Sequence, residues 1–253
     1  MSGDTPPMKS VLRAFEVIRT LWEVRSAGPS EVAAHLGLSK STAHVYLRSL
    51  QETGYVVNED GTYRLSYQFL TMGSRLKYRS RIFQVSKGEM RSLADATDEL
   101  VTLFAEECAE TVLLHQEQGD QALELGTYPG MKLPIYSHAA GKVFLAFLSE
   151  SRTREIRENL LLEQQTEATI TDPVTLQTEV DRVREDGFAF DWDQQVQGMG
   201  AIAVPVVVAD TLCAVLAIAC PTGRLQDEAY RTELLQKLRE TVDSIAIKYQ
   251  YGT

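Results

Sequence analysis

The stretch PSEVAAHLGLSKSTAHVYLRSLQETGYVVNEDGTYRL, residues 29–65, decides the architecture of this 253-residue chain. Pro29 suits the first position of a helix, where no backbone N–H is needed. Val32, Ala33 and Leu36 give that helix one apolar side, and Gly37 stops it. Ser39 is placed to cap a second helix, along which Ala43, Tyr46, Leu47 and Leu50 recur at three- and four-residue steps. The other face is polar, with Lys40, Ser41, Thr42, His44, Arg48 and Ser49. Gly54 ends this helix. Tyr55–Val57 and Thr62–Leu65 then read as strands around Asn58-Glu59-Asp60-Gly61, in which Asp-Gly favours a tight hairpin turn. A helix-turn-helix followed by a hairpin predicts a winged-helix DNA reader with its second helix in a major groove. The alternative, an ordinary αα-corner in another core, leaves the cap, the polar face and the hairpin unexplained. Lys40, Arg48 and the wing residue Arg64 are expected on phosphates, and Ser41, Thr42 and His44 on base edges.

A formal charge of −10 looks wrong for such a reader until it is divided along the chain. Residues 1–82 hold 11 Lys+Arg against 7 Asp+Glu, which leaves +4, whereas residues 83–253 hold 14 against 28, which leaves −14. A basic N-terminal part fits phosphate contact, and an acidic remainder is kept off the duplex by its own field. A hydrophobic content of 44% permits a sizeable core. No apolar run reaches a membrane span and MSGDTPPMKS lacks a signal-peptide core, so a cytoplasmic protein is expected. Cys108, Cys213 and Cys220 form no CxxC pair and read as buried small hydrophobes rather than a disulfide framework.

Outward from the reader, residues 1–7 read as disordered. A supporting helix is expected over Lys9–Arg25, with Val11, Leu12, Phe15, Ile18, Leu21 and Trp22 on its inner side. After the wing, Tyr67–Tyr78 reads as a linker helix ending in Lys77-Tyr78-Arg79-Ser80-Arg81; its apolar residues suit pairing of two subunits and its basic end suits the DNA backbone. The expected domains are therefore residues 1–66, 67–81 and 82–253. From Ile82 a helix to Thr97 precedes three strands in a meander, Leu100–Phe104, Thr111–Gln116 and Ala122–Gly126, then a loop over Thr127–Leu133. A helix at Val143–Leu148 follows a small-residue turn, with further helices over residues 151–162 and 174–186. Phe188–Asp191, Ala201–Val208 and Leu212–Cys220 read as strands and Asp227–Tyr249 as the last helix. The whole reads as an α+β chain: a winged helix-turn-helix domain, a linker helix, and an α/β domain with a central antiparallel sheet and a pocket on one face.

Four segments resemble the IclR family of transcription regulators in the right order: LSKSTAHVYLRSLQETGYV (38–56), YRLSYQFLTMG (63–73), LPIYSHAAGKVFLAFL (133–148) and GFAFDWDQQVQGMGAIAVPV (187–206). The wording near Leu38 and Tyr63 is similar to haloarchaeal members, which would also account for the acidity. The resemblance implies a double-stranded operator as partner, a homodimer or dimer of dimers, no catalysis, and a GAF-like C-terminal domain that binds a small effector, often an organic or sugar-derived acid. It also implies a pocket bounded by Ala139, Ala140, Asp191, Ala201, Ala217 and Ala219. Some relatives carry hydroxyl or thiol side chains in the later strands, where this chain has alanines.

The residues support such a pocket independently. Amides around Ala139–Gly141 open a helix and suit a carboxylate. Asp191 would repel that carboxylate, so it is expected to accept from a ligand hydroxyl or to fix a neighbouring backbone group. His138, beside this turn, can donate to a ligand or cap the helix. The competing reading is an enzyme or cofactor-bearing sensor with an appended DNA-binding domain, which needs a convergent acid, base or metal cluster. Cys108 and His115 with Glu106, Glu107 and Glu110 lack a second close metal-type pair, and Gly198-Met199-Gly200 lacks the strand-then-helix setting of a dinucleotide loop. No cofactor or metal is therefore expected.

Overall fold

A computed structural model describes residues 6–252; of the stretch 1–7 expected to be disordered, residues 1–5 lie outside the described residues, and Pro6 and Pro7 are exposed and in no helix or strand. The chain divides into two compact units, Met1–Leu76 and Lys77–Thr253. In the first, α1 (Lys9–Val24), α2 (Pro29–Leu36) and α3 (Lys40–Glu52) pack around Val17, Leu21, Val32, Ala33, Ala43, Leu47 and Leu50. Gly37 closes α2 at φ 60°, the left-handed conformation that costs glycine least. Ser39 caps α3 by accepting from the Thr42 amide at 3.1 Å. The wing is β2 (Val56–Glu59) and β3 (Thr62–Leu65), turning at Asp60 and Gly61, both at positive φ as a type I′ turn requires. A third strand, β1 (Ser26–Ala27), pairs with β3; at two residues it carries no alternation to read.

The buried side of α1 is narrower than its apolar pattern suggests. Val17 and Leu21 are buried, whereas Val11, Leu12, Phe15 and Trp22 are exposed, because a three-helix unit this small covers only one stripe of its first helix. Helix α4 (Gln68–Arg79) has no buried residue, and α5 (Arg81–Thr97) starts after a break at Ser80.

The second unit is built on a six-stranded antiparallel sheet of order β6-β5-β4-β9-β8-β7. Its strands are β4 (Leu100–Glu107), β5 (Glu110–Gln118), β6 (Lys132–Pro134), β7 (Ala189–Trp192), β8 (Met199–Val208) and β9 (Thr211–Pro221). The helices are α6 (Ala139–Phe147), α7 (Glu150–Glu158), α8 (Pro173–Asp186), α9 (Thr222–Leu225) and α10 (Glu228–Tyr251). Both faces are buried. Ala201, Ala203, Val215, Ala217 and Ala219 pack with α6 and α8, while Ile202, Val204, Leu216, Ile218 and Cys220 pack with α5 and α10, which is the two-residue alternation of a covered strand. Among the described residues no helix is long and apolar enough to cross a membrane.

Three expectations are corrected. Ala122–Gly126 is not a strand: the place beside β5 is taken by Lys132–Pro134, and Leu123 and Leu125 pack onto the core instead. The small-residue turn before Val143 is already helix, since α6 starts at Ala139. Of the cysteines only Cys220 is buried; Cys108 is exposed in the β4–β5 turn at φ 55°.

Candidate functional site

The polar face of α3 stands free. Lys40, Ser41, Thr42, His44 and Arg48 are all exposed, and Lys40, His44 and Arg48 make no hydrogen bond or ion pair among the described residues. The hydroxyls of Ser41 and Thr42 lie 2.9 and 2.8 Å from Ser39 Oγ, so both belong to the cap of the helix as well as to its surface. Arg64 is engaged. Its guanidinium donates to Glu59 Oε1 at 3.0 and 2.5 Å across the wing, and Glu59 is held below the usual carboxylate range by that hydrogen bond and charge. The basic end of the linker is engaged too: Arg81 donates to the Gly252 carbonyl at 2.9 Å and Lys77 to His115 Nδ1 at 3.0 Å.

In the second unit one cavity of about 110 Å³ is lined by Ala139, Ala140, Asp191, Ala201, Ala217, Ala219 and His138 together. Sheet topology does this: β7, β8 and β9 are adjacent, Asp191 pairs with Ala201, and Ala201 pairs with Ala219. The space is several times what one buried water needs. Most of the remaining wall is apolar, from Leu100, Phe104, Leu113, Leu125, Met131 and Leu133. Thr102, Thr127 and Gln195 add polar groups that the sequence reading did not single out. A larger, open groove of about 920 Å³ runs along α7 and α8, and it shares no residue with this cavity.

Two buried titratable groups face the cavity. Asp191 is fully buried; Oδ1 accepts from the Gln194 amide at 2.7 Å, and Oδ2 has no partner among the described residues. Burial pushes its carboxyl up to about 6, against the opposing pull of the Gln194 amide, the Lys142 charge and the Gln195 amide. His138 is pushed down to about 3 by burial and by Lys142, so the ring is neutral at physiological pH. Its Nε2 lies 2.8 Å from Thr111 Oγ1, which also donates to the Leu133 carbonyl at 3.1 Å, so Nε2 carries the proton and donates to Thr111. His138 therefore does not cap α6. The amides of Ala139, Ala140 and Gly141 have no acceptor among the described residues.

Lys142 is the residue that sequence reading missed. Its ammonium is wholly buried and donates to Glu179 Oε1 at 3.0 Å, to Gln194 Oε1 at 2.8 Å and to the Phe190 carbonyl. It thereby ties α6 to α8, to β7 and to the loop that carries the Gln194 amide. Burial lowers its affinity for a proton, and Glu179 opposes that. The signal available was a single cation inside the apolar run AAGKVFLAF. Gly141 beside it is required by space: a Cβ there would stand 1.9 Å from the Ile135 carbonyl oxygen.

Two family profiles match, the IclR helix-turn-helix domain over residues 10–60 and the bacterial transcriptional regulator IclR C-terminal domain over residues 76–247. The chain belongs to the IclR family. It is 31% identical to the HTH-type transcriptional regulator KdgR of Escherichia coli K12 over 224 residues, 87% of this chain and 85% of that one. Its fold matches the crystal structure of the Thermotoga maritima IclR at a TM-score of 0.80 and 27% identity, covering 97% of this chain and all of the other. An IclR homologue from Microbacterium hydrocarbonoxydans, crystallised with 4-hydroxybenzoate, matches at a TM-score of 0.81 and 21% identity over 96% of this chain and 99% of that one. This IclR-family transcription regulator thus joins a helix-turn-helix DNA-binding domain to a C-terminal effector domain.

Proposed function

We propose that the cavity bounded by Ala139, Ala140, His138, Asp191, Ala201, Ala217 and Ala219 takes a compact hydroxylated organic acid, and that its occupancy modulates binding of α3 to an operator. The observation that carries this reading is the unpartnered Oδ2 of a fully buried Asp191 in a cavity whose wall is mostly apolar. A buried acceptor without a partner costs free energy, so a ligand hydroxyl that donates there binds with a gain that an apolar group cannot match. The free amides opening α6 suit a carboxylate at the other end of such a ligand. Alanine at 201, 217 and 219 leaves no hydroxyl or thiol at these strand positions, which favours an aromatic or alkyl body over a polyhydroxylated, sugar-derived one. The ligand of the Microbacterium homologue, 4-hydroxybenzoate, has this chemistry.

On the DNA side, Lys40 and Arg48 carry free charges for phosphates, and Ser41, Thr42 and His44 stand at the exposed N-terminal half of α3 for base edges. Arg64 already pairs with Glu59, so its charge is partly offset before it meets a phosphate. The protein acts as a homodimer or a dimer of dimers on a roughly two-fold operator, a reading supported by the exposed Val11, Leu12 and Phe15 of α1 and Leu70 and Leu76 of α4. A regulator without catalysis, acting in the cytoplasm, completes this reading.

Thermal unfolding of the full chain with 4-hydroxybenzoate, benzoate and 4-hydroxybenzyl alcohol tests the cavity. A midpoint raised by the hydroxy acid and much less by the other two is expected, since a ligand present at a hundred times its Kd adds about 2.7 kcal/mol. Benzoate acting as strongly as the hydroxy acid would remove Asp191 from the binding site.

A further inference from the structure

A half-buried relay of Lys77, His115 and Glu117 lies on the face of the sheet opposite the cavity. Lys77, in the last turn of α4, donates from Nζ to His115 Nδ1 at 3.0 Å. Because Nδ1 accepts, the ring proton sits on Nε2, which donates to Glu117 Oε1 at 2.9 Å. The ammonium also lies 4.4 Å from the centre of the Phe83 ring, which meets His115 edge-on at 5.1 Å. Helix α4 has no buried residue of its own; its last turn is fastened by this relay together with Tyr78, whose ring meets Phe83 and whose carbonyl accepts from Gln84 Nε2 at 2.6 Å.

The strand carrying His115 also forms part of the cavity wall. Leu113 lines the cavity, Thr111 holds His138, and Gln116 holds the wall residue Thr127 through two hydrogen bonds of 3.0 and 2.6 Å. A β-bulge lets one strand serve both faces. Phe104 pairs with Leu113, whereas Leu103 pairs with His115, so Leu114 is the extra residue. Phe104 and Leu113 face the cavity, and Leu103 packs with α5 and α10. The bulge thus turns His115 toward α5 without turning Leu113 or Gln116 away from the cavity.

We propose that His115 is the positioning residue that fastens the last turn of the linker helix to the cavity-bearing strand, so that β5 carries the state of the cavity to α4. The effector role of the cavity rests on the function proposed above; the fastening and its coupling to the cavity wall stand on ligand-free geometry. The groups facing His115 are Lys77 from α4, Lys87 and Arg91 from α5, and Glu117 on its own strand. A protonated His115 cannot accept from Lys77 and places a second positive charge beside it. The ring's proton affinity is already lowered by burial and by Lys77, so the relay is intact at neutral pH and opens in acid.

Hydrogen exchange of residues 77–80 in the ligand-free full chain, corrected for intrinsic rates, tests this. Wild type is expected to lose protection there only as pH falls below the ordinary histidine range, since burial and Lys77 lower the ring's proton affinity, and His115→Gln, which keeps an acceptor and a donor, is expected to show protection independent of pH. His115→Phe fills the same space without an acceptor; it should expose residues 77–80 at neutral pH and shift affinity for a duplex selected by the wild type from a random pool by about fivefold. Leu113→Met repacks the cavity wall without opening a void; it should change protection at residues 77–80 in the wild type and leave it unchanged in His115→Phe. Unaltered protection in His115→Phe, equal losses in the Gln and Phe variants, or a Leu113→Met effect that is absent or equal in both backgrounds would overturn the proposal. The wild-type pH profile decides even if the Phe variant does not fold.

Discussion

Asp191 holds one carboxylate oxygen on a backbone amide and leaves the other without a partner in a mostly apolar cavity, an arrangement that costs stability in the ionised form. Between the ordinary aspartate value and about 6, the folded protein keeps a proton that the unfolded chain has released. Stability therefore falls as pH rises through that window, by roughly 3 kcal/mol in all at 1.36 kcal/mol per unit. Asp191→Asn keeps Oδ1 for the Gln194 amide and carries no charge. It is expected to unfold at a higher temperature than wild type at pH 8, with the gain vanishing near pH 4, and to lose the response to a hydroxylated acid; equal midpoints at both pH values would contradict the burial argument. A second prediction concerns the DNA-reading surface. Lys40→Ala or Arg48→Ala should weaken DNA binding across sequences and reduce the slope of log affinity against log salt by about 0.9 for each phosphate no longer neutralised. At this scale Asp191, His138 and the alanines were legible because a helix start and a family pattern mark them. Lys142 was not, because a lysine on a helix ordinarily lies on the surface and nothing near it in sequence announces Glu179, Gln194 and Phe190.

Helix α3 and helix α6 are each fixed by what happens at their first turn. Ser39 caps α3 while also engaging Ser41 and Thr42. Ser39→Ala should cost about 1 kcal/mol in urea unfolding, and it should change sequence preference as well as affinity, because Ser41 and Thr42 are left without their partner. Helix α6 has the opposite design: no cap, free amides, and a glycine pressed against a carbonyl. Gly141→Ala forces the Ile135 backbone away from a clash at 1.9 Å, which should destabilise the second unit by about 3 kcal/mol and abolish ligand stabilisation; a variant of unchanged stability would mean that the turn before α6 yields freely. Caps, turns and the 3.6-residue pattern made most helices readable. Ala122–Gly126 misled because apolar and polar residues alternate there, whereas strand pairing is decided by which segment occupies the edge of β5. The β5 bulge was equally invisible, since an extra residue in a strand shows only against its partner's register.

For the molecule as a whole, the division into two compact units predicts two unfolding transitions in calorimetry, with a cavity ligand raising only the one that belongs to residues 77–253. A single transition moved as a whole would show that the units unfold together. The sequence by itself determined the winged helix-turn-helix reader, the α+β order of helices and strands, and the opposite charges of the two parts. These follow from local rules: caps, turns, periodicity and the sum of charges need no distant partner. Only the tertiary structure decided that Thr102, Thr127 and Gln195 join the wall of the cavity, that Lys142 is buried beside it, and that His115 faces Lys77 on the far side of the same strand. Those facts depend on strand order, register and one bulge, which bring residues 27 to 52 positions apart into hydrogen-bonding distance, and no pattern within a short window of sequence encodes such pairings.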